Sequence, residues 1–336
     1  MFLKTDHVYI VAEIGGNFTD YRTAVMLIDQ AKDSGVDAVK LQTYRAKTIS
    51  SRQAMFDMEN TGVVPQAEYF KKYELSEELH RKVYEYARKK GLDIFSTPSH
   101  MTDVDMLEKL NTDVYKVGAD DVTNIPFLKD LARLNKPIML STGMCTLEEV
   151  KEAVNAIIEE GNEDIVIMHV VSLYPTASQY VNLNAIKTLQ EAFPQFVIGY
   201  SDHTLGIDSC IFAAVSGARV IEKHFTFDKK ADGPDHMLSA TQEEMKTLVD
   251  KIRLYEKMQG SGIKKPMGDE VKNRKNNRKS IVSARALKCG EIITEVDIDI
   301  KRPGFGISPK YKDMLIGKKV LKDIEEDTLL QWDDLQ

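Results

Sequence analysis

Two histidines lie at the ends of neighbouring apolar runs late in the chain. The run "VIGYSD" leads into His203, and the run "VIEK" leads into His224. If these runs are adjacent parallel strands, the two imidazoles can bind one divalent metal ion and leave its other positions open to water and substrate, as catalysis requires. A single histidine at a strand end is more often a hydrogen-bonded structural residue, but the pair, with polar residues around each member, favours a metal site.

Cationic and hydroxyl side chains end several of the earlier apolar runs. Lys40 and Lys116 end the second and fourth runs, and Thr97, Ser141 and Ser201 end the third, fifth and seventh. Ammonium groups beside hydroxyl donors suit a ligand that carries both a phosphate and a carboxylate. For Lys116, a structural salt bridge within its strand is an equally good explanation.

Two carboxylates are candidates for proton transfer or ligand contact. Glu13 ends the first apolar run and is a candidate base, which nearby lysines or a metal ion would keep ionised at neutral pH. Asp235 belongs to "GPDH", where the Gly-Pro pair stiffens a loop that could hold it near the metal. A simple loop turn is the alternative for Asp235.

The remaining histidines near helices and strands are expected to be structural. His169 ends the sixth run, and we expect it to pack and hydrogen-bond within the protein. His80 and His100 fall in helical patterns, and we expect both on helix surfaces.

These residues require a scaffold that brings many strand ends to one place. Eight short β-rich apolar runs alternate with amphipathic helical patterns, several of which close on glycine. Eight such units predict a TIM (β/α)8 barrel, which needs about 250 residues and carries its active site where the strands end. Parallel strands are normally apolar throughout, because both faces are buried, so polar strand ends indicate a site. We assign residues 1–262 to this barrel.

A smaller module follows the barrel. The stretch "GIKKPMGDEVKNRKNNRK" is basic and interrupted by Gly and Pro, which predicts a linker over 263–279. The remainder, 280–336, contains short strand-like pieces but is small for an independent core. One connection within the barrel, 44–75, is unusually long, and long connections are often functional.

Bulk composition narrows the class of protein. The 336 residues are 43% hydrophobic and 29% charged, which is typical of a globular protein. The net charge of −7 is spread along the chain, so we expect no nucleic-acid surface. We find neither a run of about 18 apolar residues nor a signal-peptide pattern, and we expect no membrane association. Three widely separated cysteines favour a reducing compartment, and we expect the cytoplasm.

The motifs at these strand ends, in this order, resemble those of the sialic acid (nonulosonate) synthases. They are "AEIGGN", "VKLQT", "STP", "YKVGA", "LSTGM", "LYPT", "GYSDHT", "EKHFT", "GPDH" and "KRPGFG". The match covers nearly the whole chain, and 280–336 resembles the antifreeze-like SAF domain of that family, a β-clip module. The resemblance implies an enzyme that condenses phosphoenolpyruvate with an N-acetylmannosamine-type sugar and water, releasing phosphate and a nine-carbon keto acid.

The resemblance also implies a role for each site residue. A divalent ion, most commonly Mn²⁺, with Mg²⁺ or Co²⁺ as alternatives, would be held by His203 and His224. Glu13 would orient the sugar and act as acid and base. The residues that would hold phosphoenolpyruvate are Lys40, Thr97, Lys116, Ser141 and Ser201, with Ser172 nearby, and those that would contact the sugar or a metal-bound water are Gln42, Tyr174 and Asp235.

The resemblance further implies a domain-swapped homodimer in which Arg302 of "KRPGFG" enters the partner's site and contacts the sugar. Without it, Arg302 would be read as a surface arginine beside a turn. The chain departs from the family pattern at Phe18, Ala119, Val170 and Val171. Phe18 would change how the far end of the sugar is gripped, so these departures bear more on substrate than on reaction type.

N-acetylneuraminate synthase is the first functional interpretation. Legionaminic or pseudaminic acid synthase is the alternative within the family. Two other classes stay open: an aldolase or synthase of shorter keto-sugar acids, and a non-catalytic sugar-binding or coat-associated protein. The SAF-like module argues against the former, and the intact set of base, cations and histidines argues against the latter.

Overall fold

The computed structural model describes residues 6–58 and 62–336, and it divides into two compact units. The first unit is Met1–Gln259 and the second is Gly260–Gln336. Within the described residues, no helix is long and apolar enough to cross a membrane.

The first unit is built on a closed barrel of eight parallel strands. The barrel order is β1, β2, β5, β6, β7, β8, β9, β10 and back to β1, and the other two strands of this unit, β3 and β4, form a separate antiparallel hairpin. The ten strands are β1 (Tyr9–Glu13), β2 (Ala38–Thr43), β3 (Met55–Met58), β4 (Gly62–Pro65), β5 (Asp93–Pro98), β6 (Tyr115–Val117), β7 (Ile138–Ser141), β8 (Ile165–His169), β9 (Val197–Asp202) and β10 (Val220–His224). The predicted (β/α)8 barrel is confirmed, and all eight apolar runs are barrel strands.

A helix follows each barrel strand, and two shorter helices belong to the long connection after β2. The helices of the first unit are α1 (Tyr21–Ser34), α2 (Ala46–Ile49), α3 (Gln66–Tyr73), α4 (Glu77–Lys89), α5 (Met101–Lys109), α6 (Ile125–Ala132), α7 (Leu147–Glu159), α8 (Asn184–Ala192), α9 (Asp208–Val215) and α10 (Gln242–Gln259). Local sequence sets their ends: Thr146 and Glu149 form a reciprocal capping box at α7. Gly35 ends α1 with φ 83°, a left-handed conformation that glycine adopts at little cost.

The core lies between strands and helices. Ile10, Val39, Leu140 and Ile167 on the strands pack with helix residues such as Leu27, and all are fully buried. Burying a Leu or Ile side chain contributes about 1.5–3 kcal/mol, so this shell holds the strand ends in fixed positions. Rigid strand ends are what a multi-residue site requires.

The described parts of the long connection after β2 form an aromatic layer. The hairpin β3–β4 leads into α3, and the Phe56 ring packs against Tyr69 and Phe70, with centroids 5.1 and 5.4 Å away. Tyr44 packs on Phe70 at 4.9 Å. Edge-to-face pairs of this kind add about 0.5–1.5 kcal/mol each, so Tyr44, the hairpin and α3 hold one another in place.

The second unit has its own small core. Its elements are α11 (Glu270–Asn277), β11 (Ser280–Ser283), β12 (Ile298–Lys301) and α12 (Lys312–Leu315). Ile281, Ile293, Leu315, Val320 and Leu330 pack together and are fully buried. The stretch predicted as a linker contains α11, whose side chains are all exposed. Single 3₁₀ turns complete the two units at Ala119–Asp121, Ser178–Tyr180, Glu295–Asp297, Pro309–Tyr311 and Trp332–Asp334.

Candidate active site

The carboxyl ends of the barrel strands open into one cavity of about 570 Å³. Eleven of the residues expected at the site line it: Lys40, Gln42, Thr97, Lys116, Ser141, Ser172, Tyr174, Ser201, His203, His224 and Asp235. Glu13 is fully buried and contacts the cavity through Lys40. Arg302 lies in the second unit and is exposed there. The strand ends thus bring together the cations, hydroxyls and imidazoles that the sequence places far apart.

Two lysines and two glutamates form a buried charged cluster at one side of the cavity. Lys40 forms an ion pair with Glu13, and its Nζ lies 3.6 Å from Oε1 of Glu222 and donates to Thr97 Oγ1 at 3.1 Å. Lys116 Nζ lies 3.1 Å from Oε2 of Glu222. Ser201 Oγ donates to Glu222 Oε1 at 3.1 Å. Glu222 therefore bridges the two lysines.

The protonation of this cluster follows from burial and neighbouring charge. Burial favours a neutral Lys40, but the carboxylates of Glu13 and Glu222 outweigh it and raise the Lys40 pKa. Burial, reinforced by the charge of Lys40, lowers the pKa of Lys116. Burial opposes ionisation of Glu222 as well, yet the two lysines hold its pKa well below the usual range. For Glu13, burial prevails over Lys40 and raises its pKa. The cluster thus sets two ammonium groups against two carboxyl groups, of which Glu13 takes up a proton more readily than Glu222.

The two histidines lie next to each other, two residues beyond Ser201 and Glu222 of the charged cluster in the chain. Their ring centroids are 5.4 Å apart, and the Tyr174 ring stacks on His203 at 4.0 Å. His203 Nδ1 lies 2.8 Å from the carbonyl oxygen of Val171, so this nitrogen is the N–H donor and Nε2 keeps its lone pair. Burial lowers the pKa of His203 to about 4 and that of His224 well below its ordinary value. Both rings are therefore neutral, as a metal ligand must be.

These residues fit a divalent ion. Two imidazoles that share an ion through bonds of about 2.1 Å have ring centroids roughly 5 to 6 Å apart, which agrees with the observed spacing. His224 Nδ1 is buried without a hydrogen-bond partner and lies 3.5 Å from Oδ2 of Asp235. Across residues 6–58 and 62–336, no group of three or more His, Cys, Asp or Glu side chains is arranged around a common ion position. An ion here would complete its shell with water and substrate oxygens.

Asp235 is held beside the histidines by its loop. Its main-chain oxygen accepts from the Ser239 hydroxyl at 2.6 Å, and His236 Nδ1 lies 2.6 Å from Thr226 Oγ1. A side chain on Gly16 would come within 3.2 Å of Asp235 Oδ2, and Gly16 has a φ of +76°, so glycine suits this position on both counts. Burial, followed by the charge of Glu13, raises the pKa of Asp235 to about 7. Asp235 can therefore hold or release a proton near neutrality.

The structure agrees with the predictions for His169 and His100 and differs from those for His80 and Phe18. His169 packs as predicted, with Nε2 2.8 Å from the carbonyl oxygen of Val181, and His100 is exposed. The surface position predicted for His80 is wrong: it is 1% exposed, because its ring contacts Thr43 Oγ1 at 2.9 Å. Phe18 packs in the hydrophobic core and is not among the residues that line the cavity, so the expected effect on the far end of the sugar is not supported.

The sequence interpretation did not assign a role to Glu222, the central anion of the cluster. It lies in the middle of "VIEKH", a fully buried strand. A charged residue within an apolar parallel strand needs a partner, and that signal could have identified it. The buried pair of Asp202 and Lys223 carries the same signal.

Comparison with known proteins shows a family match over most of the chain. The NeuB family model matches residues 27–264, and the SAF domain model matches 278–336. The chain is 39% identical to the N,N'-diacetyllegionaminic acid synthase of Campylobacter jejuni, over 96% of this chain and 98% of that protein. It is 43% identical to an uncharacterised protein of Methanocaldococcus jannaschii, covering 99% of this chain and 96% of that protein.

A solved structure agrees with these sequence matches. The N-acetylneuraminic acid synthetase of Leptospira borgpetersenii, determined in complex with citrate, aligns with a TM-score of 0.72 and 30% identity, over 80% of this chain and 90% of that one. The chain therefore belongs to the NeuB family of sialic acid synthases and carries a SAF domain after its barrel.

Proposed function

We propose that the protein condenses phosphoenolpyruvate with the open-chain aldehyde of an N-acetylated mannosamine-type sugar, giving a nonulosonic acid and phosphate. The observation that carries the proposal is the convergence of Lys40, Lys116 and the two neutral histidines on one cavity. A cation pair and a metal-ligand pair in one space can hold an anionic and a carbonyl substrate together. Holding two reactants in contact is itself worth several kcal/mol of barrier.

The charged cluster is the proposed binding site of phosphoenolpyruvate. Lys40 and Lys116 would compensate its charge, which is costly to dehydrate otherwise. The hydroxyls of Thr97, Ser141 and Ser201 line the same side of the cavity and would donate to its oxygens. Glu222 holds both lysines in place before the substrate arrives, so little reorganisation is needed when it binds.

His203 and His224 are the proposed ligands of a divalent ion, for which Mn²⁺ is the first candidate and Mg²⁺ and Co²⁺ also suit imidazole and oxygen donors. When bound, such an ion supplies Lewis-acid polarisation of the sugar aldehyde. Tyr174 supports the His203 ring by stacking, and Val171 fixes its tautomer. Gln42 and Ser172 also line the cavity, where Gln42 would contact the sugar and Ser172 would lie near phosphoenolpyruvate.

The chemistry forms a bond between C3 of phosphoenolpyruvate and the aldehyde carbon. Water then adds at C2, and the C2–O bond breaks to release phosphate. The aldehyde oxygen must gain a proton and the water must lose one. Glu13 and Asp235 are placed to manage these protons, since burial raises the pKa of both carboxyls.

The identity of the sugar is the finer part of the proposal. N-acetylmannosamine would yield N-acetylneuraminate, the first interpretation from sequence. Two observations favour a 2,4-diacetamido-6-deoxy sugar instead: the Campylobacter relative is named for a diacetylated product, and Met55, Phe56, Tyr69 and Phe70 line the cavity with apolar surface. Extra methyl groups suit such a wall better than hydroxyls do. We rank the diacetamido sugar first and N-acetylmannosamine second.

A shared site in a homodimer is also proposed. Arg302 is exposed in the second unit, on the turn that also exposes Phe305. An arginine from a partner chain would add a cation to a cavity whose own lysines are already paired with glutamates. This is the physical reason for a partner contribution.

Phosphate release tests the proposal. Purified protein with Mn²⁺ and phosphoenolpyruvate should release phosphate with the diacetamido sugar or N-acetylmannosamine, and not with mannose. EDTA should stop the release, and Mn²⁺ should restore it. Release that persists in EDTA would refute the metal role, and no release with any acetamido sugar of the panel would refute the synthase.

A further inference from the structure

A buried ion pair joins the last two barrel strands outside the cavity. Lys223 Nζ lies 2.6 Å from Oδ2 of Asp202, and both side chains are 0% exposed. The same ammonium donates to the main-chain oxygen of Thr204 at 2.5 Å. None of these three residues is among those that line the cavity, so the pair is not available to a substrate.

The carboxylate of Asp202 is saturated by protein donors. It accepts from the Tyr200 hydroxyl at 2.7 Å, from the Ser209 hydroxyl at 2.8 Å and from Thr204 Oγ1 at 3.1 Å. Ser209 belongs to α9, so the network joins β9, β10 and the helix between them. Every polar contact of the network is internal, which indicates a positioning role.

Residues of this network are the chain neighbours of both histidines. Asp202 and Thr204 flank His203 in the chain, and Lys223 precedes His224. Because successive strand residues point to opposite faces, side chains fixed on the outer face direct their neighbours inward. The main-chain oxygen of His203 also accepts from Thr176 at 2.9 Å, which joins its loop to the segment that carries Val171 and Tyr174.

Stability alone does not account for this pair. Two charges lose their hydration when they are fully buried, and replacing such a pair with apolar residues of similar size is often neutral or stabilising. A buried ion pair is weak evidence of a stabilising role, and the ties of this one to both flanks of a ligand residue point to a use in geometry. A site with only two protein nitrogens depends on the contacts behind its ligands to define their spacing.

We propose that Asp202, Lys223 and Thr204 form an outer clamp that sets the separation and orientation of His203 and His224, so that the two imidazoles are ready to share a divalent ion. This inference rests on the metal site of the proposed function. The three are positioning residues, because they act through the histidines and touch no substrate.

The test removes both charges together. The double variant Asp202→Asn/Lys223→Met keeps the side-chain lengths and the net charge, so its melting temperature should stay within a few degrees of wild type. Mn²⁺ binding is measured directly from the EPR signal of the free aqueous ion during titration. We expect the Mn²⁺ dissociation constant to rise about tenfold, the low end of the range for residues behind metal ligands. The KM for phosphoenolpyruvate should change less than twofold.

Further variants keep the result decisive. Thr204→Val removes only the Oγ1 contact and should raise the Mn²⁺ dissociation constant about threefold, which decides the matter if the double variant does not fold. As a matched control, Arg285→Met/Asp297→Asn removes an ion pair of 2.7 Å in the second unit and should leave Mn²⁺ binding unchanged.

Failure of the clamp can be told apart from failure of the proposed function. A folded double variant, or Thr204→Val, that binds Mn²⁺ as tightly as wild type overturns the clamp and leaves the proposed function intact. Wild-type protein that binds no Mn²⁺ overturns the metal site, and the clamp with it. In that case EDTA-resistant phosphate release would show whether a synthase remains.

Discussion

Replacing Lys116 with Met tests the proposed binding site of phosphoenolpyruvate. Lys116 is 3% exposed, and its ammonium lies 3.1 Å from a carboxylate oxygen of Glu222. At that separation and an effective dielectric constant of about 20, the attraction is roughly 5 kcal/mol before desolvation is subtracted. Methionine retains the apolar stem, and Glu222 retains Lys40 and Ser201, so the barrel should stay folded.

The expected effect on the substrate is larger than the effect on the fold. Removing one of two buried cations that face a phosphate dianion costs about 3 kcal/mol, within the range for truncated buried charge pairs, or roughly 150-fold. We therefore expect kcat/KM for phosphoenolpyruvate to fall at least 100-fold in the phosphate-release assay. The KM for the sugar and the dissociation constant of Mn²⁺ should change less than threefold.

A lysine at the other end of the barrel is the matched control. Lys136 precedes β7 and forms an ion pair with Glu108, away from the carboxyl ends of the strands. Lys136→Met should leave kcat/KM within twofold of wild type. If Lys116→Met also keeps kcat/KM within twofold of wild type, Lys116 is only a structural partner of Glu222. The assignment of the phosphoenolpyruvate-binding site then fails.

Three further predictions address the metal, the buried histidine and the second unit. His224→Ala should release phosphate at less than 1% of the wild-type rate while its far-UV circular dichroism is unchanged; a rate above one third of wild type would make the histidine pair structural. Burial lowers the pKa of His80 to about 4. The unfolded chain therefore takes up the proton at a higher pH than the folded protein does. The free energy of unfolding should fall by up to about 3 kcal/mol as the pH drops from about 6.5 towards 4. His80→Gln removes this dependence, so its urea midpoint should fall less than that of wild type between pH 7 and 4.5; parallel curves would contradict the assignment. Arg302→Ala should lower kcat/KM for the sugar at least tenfold, and mixing it with an inactive Glu13→Gln variant should restore part of the activity through heterodimers; a mixture no more active than its parts would argue against a shared site.

The barrel could be predicted because its signals are local. Each apolar run, such as "IVIMH", is short, rich in β-branched residues and followed by a helical pattern that closes on a turn residue. Parallel strands in a closed barrel end at one face, so a polar residue at the end of a run is placed at the site by topology alone. Lys40, Thr97 and His203 were assigned in this way without any distance.

The partners within the site could not be predicted, because they depend on side-chain geometry across the barrel. Nothing in the sequence indicates that Glu222 would bridge Lys40 and Lys116, which lie on strands at other positions of the barrel. The same holds for His80, whose helical pattern suggested solvent. Its ring is buried and contacts Thr43 on β2, a partner that the helical pattern does not reveal.

The hairpin in the long connection was missed for a related reason. β3 and β4 are four residues each, too short to show a clear alternating pattern, so their strand character comes from pairing with each other and from the aromatic layer. Length alone indicated that this connection had a function. Its apolar lining of the cavity became apparent only in three dimensions.

Isotopic labelling of the products tests the central claim most directly. Phosphoenolpyruvate that carries ¹⁸O at the position bridging C2 and phosphorus should give ¹⁸O-labelled phosphate and one unlabelled nonulosonic acid per phosphate when it reacts with the acetamido sugar and Mn²⁺. Mass spectrometry of both products reads the outcome. Unlabelled phosphate would contradict breakage of the C2–O bond, and phosphate without an equal amount of the nine-carbon acid would contradict carbon–carbon bond formation at the strand-end cavity.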